Sequence, residues 1–133
     1  MSETPTIQKP DAIVISGDIV QGVVLGTPDA EAALSAQYET ALAFIVELTE
    51  RLAEGDRSRV VIVPGNHDID WAMSKAAMEI VQTADVPKDL RSELYSSESL
   101  YRWDWKTRDL FQITNASLYR KRMDAFWKFF DSF

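Results

Sequence analysis

Two short β-branched runs, each ended by a glycine and a polar cluster, constrain this chain more than any other feature. "DAIVISGD" (11–18) and "RVVIVPGNHD" (59–68) are too short for helices and rich in valine and isoleucine, so each apolar run reads as a buried strand. Between them Leu34, Tyr38, Ala41, Ile45, Leu48 and Leu52 recur at steps of four and three, which is one apolar stripe along a helix. "QGVVLG" (21–26) reads as a glycine loop leading into it. Thr27, Pro28 and Asp29 read as an N-cap, a first-turn proline and a first-turn acid, with Gly55 as the stop. Strand, helix and strand together make a parallel βαβ unit with a right-handed crossover.

Parallel strands end on the same edge of their sheet, the edge where open α/β folds bind ligands. Gly17-Asp18 and Gly65-Asn66-His67-Asp68 are therefore expected to converge across about 50 residues of sequence. His67 is the chain's single histidine. A carboxylate and an amide oxygen suit Mg²⁺ or Mn²⁺, and an imidazole also accepts Mn²⁺, Fe or Zn²⁺. Gly17 and Gly65 let backbone pass close to a metal or a phosphate. Plainer roles stand beside these: Asp18 capping a turn, Asn66 in a left-handed turn, His67 as a satisfied core histidine. Asp70 and Trp71 either line a substrate entrance or serve as a first-turn acid and a packing indole.

"KPDAIVISGDIV" followed by "VVIVPGNHDI" resembles the second and third motifs of the calcineurin-like metallophosphoesterases. The likeness covers residues 9 to about 71, with each motif directly after an expected strand. It implies a layered α/β domain that hydrolyses phosphomonoesters or phosphodiesters with two divalent metals, of the Mn, Fe, Zn or Mg kind. By the same likeness Asp18 bridges both metals and Asn66 ligates the second. His67 contacts the phosphate and protonates the leaving group, with Asp68 orienting its ring. The family's opening Asp-x-His and its later histidines have no counterpart here, since His67 stands alone. The chain by itself is thus expected to hold an incomplete site, as a fragment of a longer domain.

Past the second motif the pattern turns helical and aromatic. Helices are expected over 71–84 and from Pro87 to about 95, whereas "LYRWDWKTRDLFQIT" (100–114) has no clear period. From Asn115, a candidate N-cap, Tyr119, Met123, Phe126, Phe130 and Phe133 form a further stripe. The expected division is a βαβ core over 1–70 and a mainly helical, aromatic-rich insertion or cap over 71–133. "YRWDWK" (101–106) admits a base-stacking role for Trp103 and Trp105, although core or interface packing is the commoner use of such residues.

The chain's 133 residues are 46% hydrophobic, enough for one domain with a core. A formal charge of −7 argues against non-specific adhesion to nucleic acid or to an anionic membrane. Residues 100–133 differ, with seven basic and four acidic side chains. The absence of cysteine, and an N-terminus "MSETPTIQKP" without a signal pattern, make the cytoplasm the expected compartment. An open strand edge and an apolar last residue lead to a second expectation: self-association, or a partner chain completing the sheet, in a non-catalytic interaction module.

Overall fold

The computed structural model describes residues 9–23 and 26–133. Most of the N-terminal segment and part of the expected glycine loop at 21–26 lie outside them. Strand β1, Ile13–Ile15, pairs with β2, Val60–Ile62, in parallel, with Ile13 opposite Val60 and Ile15 opposite Ile62. Helix α1, Ala30–Ala53, is the crossover between them. It begins two residues later than expected. Asp29, not Thr27, is the N-cap; it is left-handed at φ 50° and makes no side-chain cap bond. At the other end Glu54 (φ 57°) and Gly55 (φ 79°) turn left-handed, and the Gly55 amide donates to the Thr49 carbonyl at 3.2 Å, which ends the helix as the glycine foretold.

The core forms on one side of this pair. Leu34, Tyr38 and Ile45 of α1 meet Ile62, Val20, Phe126 and Phe129. The last two come from helix α5, Asp124–Ser132. Tyr38 and Phe129 stack with their ring centroids 5.2 Å apart. Residues beyond 70 therefore complete the core that the βαβ unit begins. The reading of both strands as fully buried needs correction. Val14 and Val61, opposite each other in register, are 68% and 51% exposed, because the helices pack on only one face of the sheet. The stripe of α1 also shifts toward its C-terminal end: Thr49 and Ala53 are buried there, while Leu52 faces out.

The second half is less helical than its sequence pattern predicts. Helix α2 is only Trp71–Ala76, and Met78–Ile80 leaves it as strand β3. The aperiodic segment resolves into β4, Tyr101–Asp104, and β5, Asp109–Ile113. These three form an antiparallel sheet in the order β3-β5-β4. The helix breaks at Ala77, which is fully buried and whose carbonyl accepts from the amides of Thr114 and Asn115. Those bonds tie the chain to the end of β5, so tertiary pairing overrides local helix propensity. Helix α3, Leu90–Tyr95, starts at the Asp89 cap. Helix α4, Ala116–Lys121, starts at Asn115, whose side chain accepts from the Leu118 amide at 3.0 Å. The stripe expected after Asn115 thus spans two helices, α4 and α5.

Candidate active-site edge

The ends of β1 and β2 do converge, and two glycines allow it. Gly17 has φ 94°, and a Cβ built on it falls 2.5 Å from the Gly65 amide nitrogen. A Cβ on Gly65 falls 2.3 Å from both the amide nitrogen and Oδ1 of Asp18. No side chain fits at either contact, so the two loops lie backbone to backbone. Asp18 follows Gly17 with φ 53°, a left-handed conformation that aspartate tolerates better than most residues. Asn66 is not left-handed, which removes the plainer reading of that residue.

Asp68 has a different task from the one expected. It is fully buried. Its carboxylate accepts from the amides of Ile19 (3.0 Å) and Val20 (3.3 Å) on the first loop, and from Gly65 (2.7 Å) on its own. The Tyr38 hydroxyl donates to the Asp68 carbonyl at 3.1 Å. Burial, and then the neighbouring Asp68 charge, push the Tyr38 hydroxyl well above the usual phenol range, so it stays a proton donor. Asp68 therefore fastens one loop to the other, and the His67 ring is held elsewhere. His67 Nδ1 donates to the Gln21 carbonyl at 2.7 Å. A carbonyl can only accept, so Nδ1 carries the proton and Nε2 is left to the exposed side.

Asp18 and His67 meet through the backbone, the His67 amide donating to Asp18 Oδ1 at 3.0 Å. Asp18, Asn66 and His67 are all exposed. Asp18 Oδ2 and the Asn66 side-chain amide make no hydrogen bond among the described residues. The Asn66 carbonyl accepts from Trp71 Nε1 at 2.8 Å. Asp70 caps α2, accepting from the Met73 amide at 2.8 Å, while its own amide donates to the Arg122 carbonyl. The sequence reading missed Gln21 and Gln37 as site residues and took Tyr38 only as part of the apolar stripe. Gln37 exchanges two 3.1 Å bonds with the backbone of Gly22. The available signal was a phenol and an amide on the helix between the two motifs.

Two free hard-oxygen donors, Asp18 Oδ2 and the Asn66 amide oxygen, fit part of a divalent-cation shell. Among the described residues no cluster of three histidines, cysteines or carboxylates joins them. The remainder of the shell falls to water, substrate oxygens or donors outside the described residues. Two hollows flank the edge. One of about 760 Å³ lies between Asp18 and α1, with largely apolar walls that include the exposed Phe44. The other, of about 350 Å³, lies behind Trp71. Among the described residues no helix is long and apolar enough to cross a membrane.

A family model for calcineurin-like phosphoesterases matches residues 3–128. No curated protein and no solved structure matches the chain.

Proposed function

The chain belongs to the calcineurin-like phosphoesterase family, and on that premise we propose that its two strand-end loops form the working edge of a two-metal phosphodiesterase or phosphomonoesterase. The family's chemistry is metal-dependent phosphoester hydrolysis, with Mn, Fe, Zn or Mg as the candidate metals. The observation carrying the proposal is the pairing of Asp18 with His67: their backbone contact joins the Gly-Asp and Gly-Asn-His-Asp turns at one exposed edge. Asp18 and Asn66 would hold part of the divalent-cation shell, and the cations would supply Lewis acidity toward the phosphoryl oxygen and toward water near neutral pH.

The chain's own residues do the rest. Asp18 keeps Oδ1 on the His67 amide and offers Oδ2 to the cation, and Asn66 offers its amide oxygen. Gln21 fixes the His67 ring through Nδ1, so Nε2 faces the substrate. In its imidazolium form the ring donates a proton from Nε2 to the departing oxygen. Asp68 keeps both loops in place from beneath.

The test is Mn²⁺-dependent hydrolysis of bis(p-nitrophenyl) phosphate. Asp18→Asn and His67→Ala are each expected to lower kcat by roughly 10²-fold or more. Unchanged rates in both would overturn the assignment. A second reading, a non-catalytic assembly module, is supported by the exposed Val14, Val61 and Val63 on the uncovered side of the parallel pair. Light scattering tests it, and a monomer that persists at high concentration counts against it.

A further inference from the structure

The cavity behind Trp71 carries chemistry that the working edge does not use. Trp71 of α2 and Trp103 and Trp105 of the β4–β5 hairpin stand around a space of about 350 Å³. Trp103 and Trp105 meet edge to face, 6.1 Å apart. Trp105 is 85% exposed, a costly place for so large an apolar side chain. Trp103 Nε1 is buried and meets no acceptor among the described residues, although buried donors are nearly always paired.

The walls are also basic. Lys75, Arg102, Lys106 and Arg122 face a single acid, Asp104, in a chain whose formal charge is −7. Some of that charge is engaged. Lys75 pairs with Asp104 at 2.8 Å, and Arg102 bonds the Tyr119 hydroxyl at 3.0 Å. The Lys106 ammonium has no acceptor among the described residues. Arg122 lies over the Tyr119 ring at 3.7 Å.

We infer that this cavity is a base-binding subsite, and that the phosphoester the protein takes is a nucleoside phosphate. The inference rests on the phosphohydrolase reading and names its substrate class. Indole faces stack with any base, and Lys106 supplies a cation for phosphate. The volume suits one nucleoside, and the chain's overall acidity opposes a long polyanionic strand. Trp71 links the two places: its ring walls the cavity while its N–H holds the Asn66 carbonyl. The cavity therefore adjoins the loop that carries Asn66 and His67.

Calorimetry without metal separates this from the hydrolysis question. The ligands are AMP, ribose 5-phosphate and a 5′-phosphorylated tetranucleotide. AMP is expected to bind at least about tenfold tighter than ribose 5-phosphate, and Trp105→Ala to erase about that factor, with Trp105→Phe restoring most of it. Lys106→Ala is expected to weaken both small ligands alike. The subsite is overturned if AMP fails to bind or binds no better than ribose 5-phosphate, or if Trp105→Ala leaves its affinity unchanged. A tetranucleotide that binds more than about tenfold tighter than AMP overturns it too, in favour of a strand-binding groove. AMP binding with no Mn²⁺-dependent hydrolysis of either AMP or bis(p-nitrophenyl) phosphate would sink the phosphohydrolase reading alone.

Discussion

Two turns of this molecule are built around an aspartate, and the two aspartates work in opposite ways. Asp104 organises the β4–β5 hairpin locally, accepting from the amides of Lys106 (2.9 Å) and Thr107 (3.2 Å) and pairing with Lys75. Asp68 reaches across the fold, and its partners Ile19 and Val20 lie 49 and 48 residues away. The first carboxylate shapes a turn that could form early and alone. The second has no full set of partners until β1 and β2 are already side by side. The difference shows how an acid can define either a local conformation or a tertiary contact, depending on whose amides it receives.

Removing Asp68 gives the largest expected effect. Asp68→Ala strands three backbone donors and is expected to cost about 3 kcal/mol or more in urea unfolding. A loss below about 1 kcal/mol would mean that water replaces the carboxylate and that the contrast with Asp104 is false. Gly65→Ala comes next, at about 2 kcal/mol, because its Cβ meets the Asp18 backbone nitrogen, which cannot swing aside, as well as Asp18 Oδ1. An unchanged urea midpoint would show that the loops can part without cost.

The Asp104 effect is smaller and appears in acid. The Lys75 ammonium beside it, then the Thr107 and Lys106 amides, hold its carboxyl down at about 2. A carboxyl depressed in the folded state stabilises the protein above the usual carboxylate range, and that stabilisation is lost as pH falls toward 2. Asp104→Asn should therefore flatten part of the stability loss between about pH 4 and 2, a window read against ordinary carboxylates. Identical acid profiles would remove the role given to the Lys75 pair. The smallest effect belongs to His67→Ala, which is expected to move stability by no more than about 0.5 kcal/mol, since the ring is exposed. Its urea midpoint should stay in place while phosphodiester hydrolysis falls.

Much of the parallel half was legible in the sequence because its signals are local and agree with one another. β-branched runs gave the strands and the stripe gave α1, whereas Gly17 and Gly65, read as making room for a metal or a phosphate, make room for each other's loops. The antiparallel sheet was not legible. Met78–Ile80 continues a helical pattern, and "YRWDWK" mixes charge with aromatics, so only pairing with β5 decides their conformation. At the proposed working edge, Asp18 and His67 were read as motif letters. The part played by Asp68 was misjudged, because a buried acid serving amides and an acid steering an imidazole look alike in one dimension. Gln21 acts through its main-chain oxygen, which no side-chain pattern reports.

The carboxylate of Asp68 also governs timing. Its amide partners come from both loops, so the full set of bonds cannot form in a half-folded chain. The amides of Ile19 and Val20 should then exchange with solvent together, in a single cooperative opening. An edge assembled in this way has no intermediate grades of competence. It is present when the two strands are docked and gone when they separate, so the fraction of molecules able to bind a ligand there tracks the folded fraction itself.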